Sequence, residues 1–241
     1  FAPPSELATH FDYRRQVLKT VVSSHGDAGR YYITFLDNHD LNERFHNPAY
    51  PGQTRLALTC LMTMQGIPCI YYGTEHGLSG HGNRREYVRE ALWGHRNAFS
   101  PDQVLYKTIQ DLSALRDRQP PLRFGRQYLR PVSFLGRPFT VHAGGEIIAW
   151  SRILHDEEVL VVLNPHGRET RGADILVDAS LNPEGGVMTI IACSEEAGNS
   201  HYPGHNTTGS TRAVHSDGTG IHYIAISELG PSEMILLVNK A

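Results

Sequence analysis

"YYITFLDNHD", residues 31–40, is the stretch whose reading decides the fold. Its first seven residues are apolar, aromatic or β-branched and predict a buried strand over 31–37. Its end turns polar, so Asp37, Asn38, His39 and Asp40 cluster where that strand stops. Outward from it, "QTRLALTCLMTM" (53–64) is apolar nearly all round and predicts a buried helix, halted by Gly66. "IPCIYY" (67–72) predicts a second buried strand with Pro68 near its start. Upstream, residues 11–22 place Val17, Leu18, Val21 and Val22 on one helical face. Downstream, Ser100 offers an N-cap, Pro101 fits the first helical position and Gln103 completes a capping box. Leu105, Ile109, Leu112 and Leu115 continue that helix, which is expected to end before Pro120 and Pro121. Helices alternating with strands imply parallel strands joined by crossover helices, with 31–37 and 67–72 paired as neighbours.

The pattern changes after about residue 122. Strand candidates follow one another at 138–143, 146–153, 158–163, 173–177, 187–192, 221–227 and 233–239, with turn residues and no helical periodicity between them. This predicts an antiparallel sandwich. The Gly, Ser, Thr, His and Asn-rich stretch 194–220 reads as a long loop.

Composition narrows the function classes. Lys and Arg number 22 against 25 Asp and Glu, a net charge of −3, which removes the electrostatic footprint of a nucleic-acid or membrane-surface protein. Hydrophobic residues at 40% and charged residues at 20% describe a chain able to bury a core. No stretch approaches the roughly 18 apolar residues of a membrane span. Phe1 opens the chain without Met or a leader pattern, which reads as a mature form or an excised piece. Cys60, Cys69 and Cys193 read as buried free thiols. Fourteen histidines invite a metal reading, but HExxH and CxxC are absent, and Pro203 and Gly204 break the helix that His201 and His205 would need. No metal and no cofactor are expected. A single sequon stands at Asn206 and matters only if the source glycosylates secreted proteins.

Catalytic groups of parallel barrels sit at strand C-termini and on the loops that follow. "FLDNHD" (35–40) occupies such a place, and a carboxylate beside His39 and Asn38 can bind vicinal hydroxyls. The bland alternative is a polar turn capping the next helix. "GIPCIYYGTEHGLSG" (66–80) then delivers Tyr71 and Tyr72 from a strand into a Gly-rich loop bearing Glu75 and His76. Tyr72 and Glu75 are candidates to line a sugar site. Adjacent strand residues face opposite ways, so at least one tyrosine is expected to fill the interior.

Together these segments resemble the alpha-amylase family of retaining glycoside hydrolases. "FLDNHD" looks like that family's fourth signature, at the end of barrel strand 7, and "GIPCIYYGTE" like strand 8 with its loop. "NRREYVREALWG" (83–94) resembles the approach to the last barrel helix, and "VLVVLNP" (159–165) a strand of the C-terminal sandwich. The resemblance implies α/β followed by all-β: the last two βα units of a (β/α)8 TIM barrel over 1–122, then an antiparallel β-sandwich over 123–241. It assigns Asp40 as the family's third essential carboxylate, stabilising the oxocarbenium-like state, with His39 hydrogen-bonding the same sugar. "HDLNERF" carries one residue more than the commonest family spacing before its Arg, so no role is carried over to Arg44.

The nucleophile and the acid/base carboxylate of such an enzyme lie on earlier barrel strands, and the 34 residues before Phe35 hold no Gly-x-Arg-x-Asp pattern. The resemblance therefore implies the C-terminal part of an enzyme acting on an α-glucan or oligosaccharide, inactive by itself. Its partner would be the preceding part of the same enzyme or a second copy. Two other readings stand beside it: a carbohydrate-binding or structural module, and a metal-dependent enzyme built on the histidines.

Overall fold

The computed structural model describes residues 4–21, 28–82, 84–96, 98–134, 136–141, 147–194 and 206–240. The chain divides into two compact units, Arg30–Gln119 and Pro120–Ala241 with Phe1–Gly29. Among the described residues no helix is long and apolar enough to cross a membrane.

In the first unit, β1 (Ile33–Thr34) pairs in parallel with β2 (Ile67–Pro68), as the sequence predicts. Ile67 N–H donates to Tyr32 O and Cys69 N–H to Thr34 O, both at 2.8 Å. The strands are shorter and wetter than predicted. Tyr31, Tyr32, Ile33, Phe35 and Ile67 are all exposed, because among the described residues no further strand pairs with these two. Gly66 makes the pairing possible: its φ is +143°, and a Cβ there would stand 2.8 Å from Thr34 Cγ2 and 2.9 Å from Tyr32 O.

Helix α2 (Pro51–Thr63) carries Pro at its start and buries Leu56, Leu58, Leu61 and Met62. It packs on α3 (Val104–Arg118). Arg116 of α3 closes the C-terminal end of α2, donating to Met62 O at 2.6 Å and Gly66 O at 2.9 Å. The predicted Ser100 cap does not form. Ser100 Oγ accepts from Asp102 N–H at 3.3 Å, closing a tight turn, and the helix starts later, after Gln103. It ends before Pro120 as predicted.

Helix α1 (Pro4–Val17) begins earlier than predicted and tightens to a 3-10 turn at Leu18–Thr20; Val22 lies outside the described residues. The second unit also holds a short helix, α4 (Pro120–Phe124), packed on β5 and β6 of a nine-stranded sheet. Its strands are β3 (Arg126–Arg130), β4 (Val132–Ser133), β5 (Ile148–Leu154), β6 (Glu157–Leu163), β7 (Arg171–Leu176), β8 (Val187–Cys193), β9 (Thr211–Ser216), β10 (His222–Leu229) and β11 (Met234–Val238). Their order is β3-β5-β6-β11-β8-β9-β10-β7-β4, with every pair antiparallel. The two edge strands, β3 and β4, are separated in sequence by Pro131 alone, so the sheet curls back almost onto itself. Leu160, Val162, Ile175, Met188, Ile190, Ile224, Ile235 and Leu237 fill the space it encloses.

Three expectations change here. The stretch 194–220 is not all loop: its described part contains β9, which only Val214 anchors in the core, so its alternation was too weak to read. Strand 138–143 reduces, among its described residues, to one bridge between Thr140 and Val132. Cys69 is exposed rather than buried, while burial pushes the Cys60 thiol up to about 12.

A buried polar network ties the sheet. Glu158 is fully buried and accepts from Arg130 Nη2 at 2.7 Å, Asn182 Nδ2 at 2.6 Å and the Ser151 hydroxyl. Asn206, the sequon residue, is also buried; its amide donates to Glu228 O and Glu233 Oε1, both at 2.9 Å.

Candidate active site

The loop after β1 is folded by its own polar residues. Asp37 is buried and its carboxylate accepts from Phe45 N–H at 2.9 Å, pinching the loop shut. Asn38 Oδ1 accepts from Asp40 N–H at 2.9 Å, a local Asx turn. This turn leaves His39 and Asp40 exposed.

Asp40 lies beside an imidazole and two guanidinium groups. Its carboxylate is 3.5 Å from His39 Nε2, 3.6 Å from Arg85 Nη1 and 4.0 Å from Arg89 Nη2. Arg89 also donates through Nε to His39 O at 3.3 Å. The sequence reading missed both arginines; their i,i+4 spacing in "RREYVRE" was the available signal.

Arg44, given no role from sequence, is the anchor of the unit's loops. Its side chain is fully buried, donates to Tyr72 O at 2.6 Å and lies 4.3 Å and 4.9 Å from the ring centres of Tyr71 and Tyr72. Its Nε is 3.9 Å from Glu90 Oε2. Its backbone N–H donates to Gly80 O at 2.9 Å. Tyr71 and Tyr72 thus meet on one cation, edge to face with centres 4.7 Å apart, rather than facing opposite ways. Both rings turn to the buried Arg44, whose contacts rather than strand alternation set their placement. The Tyr72 hydroxyl donates to Glu90 O at 2.8 Å.

Glu75 sits in a 3-10 turn, Thr74–His76, between Gly73 and Gly77, both with positive φ. It pairs with His76 Nε2 at 3.6 Å, and that imidazole stacks on Tyr106. The structure brings Asn38, His39 and Asp40 together; among the described residues no hydrogen bond or ion pair joins Tyr72 or Glu75 to Asp40. Behind the loop, His46 Nδ1 meets Thr54 Oγ1 at 3.0 Å, and burial pushes this imidazole below its ordinary value against the opposing pull of Asp37. Among the described residues no group of three or more His, Cys, Asp or Glu gathers as a metal site, and His201 and His205 lie outside them. An exposed carboxylate set between two guanidinium groups and an imidazole is fitted to hold paired hydroxyls.

Residues 5–122 match the family model of the alpha amylase catalytic domain. The chain belongs to the alpha-amylase family. It is 31% identical over 134 residues to a cyclomaltodextrin glucanotransferase of Geobacillus stearothermophilus, covering 55% of this chain and 16% of that protein. It is 31% identical over 101 residues to an alpha-amylase of Niallia circulans, covering 42% of this chain and 18% of that one. The chain thus spans less than a fifth of these relatives' length. Among solved structures it resembles a cyclomaltodextrin glucanotransferase with a three-domain arrangement, at TM-score 0.67 and 20% identity, over 99% of this chain and 41% of that one. It also resembles an alpha-amylase of Geobacillus thermoleovorans solved with acarbose, at TM-score 0.61 and 20% identity, over 96% of this chain and 43% of that one. These structural likenesses bear on the fold: an α/β part followed by an all-β part.

Proposed function

We propose that this chain contributes to a retaining glycosidase or transglycosylase acting on α-glucans. In this reading residues 1–122 are the last two βα units of the (β/α)8 barrel and residues 123–241 its C-terminal sandwich. Asp40 is the transition-state-stabilising carboxylate and His39 a sugar contact. Asn38 shapes the turn that presents them. The observation that supports the reading is that Asp40 is exposed on the loop after a parallel strand, 3.6 Å from Arg85 and 4.0 Å from Arg89. As positive charge develops on the sugar, the carboxylate stabilises it while holding two of its hydroxyls. Tyr72 and Glu75 act on this site through structure: one ties the loop to Glu90, the other orients His76.

The bond-breaking steps need a nucleophile and an acid, and this chain's motifs supply neither. The purified 241-residue chain is therefore expected to show no turnover of a nitrophenyl maltoside. Turnover by that chain would overturn the assignment. The exposed apolar residues of β1 and β2 support a partner along their edges, either a further barrel segment of the same enzyme or a second copy.

A further inference from the structure

Two arginines reach Asp40 with most of their hydrogen-bond donors unspent. Arg85 opens the 3-10 turn Arg85–Val88, and Arg89 follows directly after it. Arg85 Nη1 and Arg89 Nη2 stand 3.6 Å and 4.0 Å from the same oxygen, Asp40 Oδ1. Both distances exceed the roughly 3.2 Å reach of an N–H···O hydrogen bond, so neither guanidinium donates to that carboxylate. Arg89 spends Nε on His39 O at 3.3 Å and keeps its outer donors free of that bond. Among the described residues the Arg85 side chain donates no hydrogen bond, and both side chains are exposed.

The charge of this corner is unbalanced. Asp40 Oδ2 faces His39 Nε2 at 3.5 Å, so one carboxylate meets two permanent positive charges and an imidazole. Glu86, inside the turn, pairs with neither arginine among the described residues, and Glu90 faces the buried Arg44 at 3.9 Å. Surplus positive charge opposes the work of a carboxylate that stabilises a developing cation. An anionic group on the substrate, set off the reacting ring, offsets that surplus by drawing both guanidinium forks onto its own oxygens. Planar guanidinium groups match the oxygens of a phosphate, and both arginines already converge on a single oxygen. The hydroxyl of a neutral glucan accepts hydrogen bonds from them but leaves the charge uncompensated.

We propose that Arg85 and Arg89 form an anion subsite beside Asp40, and that the sugar taken there carries a phosphate ester on a ring next to the one Asp40 holds. The choice of an α-linked sugar rests on the reading given under the proposed function; the phosphate rests on the two arginines alone. The test is calorimetric titration of the full chain, at low ionic strength, with maltose, maltose 6′-phosphate, cellobiose 6′-phosphate and inorganic phosphate. Maltose 6′-phosphate is expected to bind about tenfold or more tighter than maltose, the worth of one charge-assisted hydrogen bond, and the gap to narrow as salt is added. Arg85→Gln and Arg89→Gln are each expected to close most of that gap. Lys107→Gln removes the same charge from a side chain paired with Asp102 and is expected to leave the gap intact. Equal affinity for maltose and its phosphate overturns the proposal and leaves the α-glucan reading standing. A gap that survives both arginine substitutions, or that Lys107→Gln closes equally, also overturns it. So does inorganic phosphate binding as tightly as the ester, because the anion then owes nothing to a sugar. Cellobiose 6′-phosphate binding in place of the maltose ester, with the same dependence on Arg85, upholds the subsite and counts against the α-glucan reading. No binding of any of the sugars overturns the proposal. Arg85→Gln carries the test should Arg89→Gln loosen the loop at the His39 carbonyl.

Discussion

At the scale of single residues, Asp40 carries the proposed chemistry and Arg44 holds the loops in position. In an enzyme where these residues stand beside a nucleophile and an acid, Asp40→Asn is expected to lower kcat by on the order of 10²–10⁴-fold without unfolding the protein, because its charge acts mostly in the transition state. A kcat within a small factor of the parent would refute the role. Arg44→Lys is expected to fail as a replacement. A lysine cannot both reach Tyr72 O and lie flat against two rings, so the thermal unfolding temperature of the chain should fall. His46 gives a pH signature. Its folded value lies below its ordinary 6.5, so the unfolded chain binds the proton more readily. The stability held above that ordinary value is lost as pH falls through the lowered folded one. Urea unfolding at neutral and mildly acid pH should therefore show a smaller loss in His46→Gln than in the parent chain.

The secondary-structure elements are held by contacts between segments far apart in the chain. Gly66 sits where β1 and β2 touch, with a backbone that L-residues rarely adopt. Gly66→Ala is expected to cost about 1–3 kcal/mol through backbone strain, with the clash against Tyr32 O added, read by chemical unfolding of the Arg30–Gln119 unit. In the nine-stranded sheet, Glu158→Ala strands Arg130 and Asn182 without their shared acceptor. Breaking a buried pair in this way costs about 3–5 kcal/mol. An unfolding curve that did not shift would show the network to be dispensable. Asn206 serves a comparable structural purpose, and its buried amide is not available to carry a glycan in the folded sheet.

For the molecule as a whole, the two units differ in how they finish their hydrophobic surface. The sheet of the second unit curls so that its inner faces cover each other, and its core residues are nearly all dry. In the first unit α2 and α3 pack on one another, yet β1 and β2 keep their apolar residues in water. Hydrogen exchange should therefore be slow throughout β5, β6, β8 and β11 and fast in β1 and β2. Sedimentation should show self-association of the isolated chain through those strands, weakened by Ile33→Lys. A monodisperse monomer with equal protection in both units would contradict the proposed open edges.

Much of this was legible in the sequence, because local patterns record what each segment buries. The apolar run of 53–64, the helical spacing of Leu105, Leu112 and Leu115, and the parallel pairing of two short strands all followed from such patterns. The motif around Asp40 was legible by resemblance. What no local pattern carries is a contact between distant residues. Arg44 became the anchor of three loops because Tyr72 and Glu90, 28 and 46 residues further along, fold around it. Arg89 reaches the backbone of His39 across 50 residues. Strand β9 was hidden because a single buried valine was its apolar signal. Gly172 of β7 meets the carbonyl of Ser227 on β10 so closely that a Cβ would stand 2.2 Å from it, an approach that only the register of the folded sheet decides.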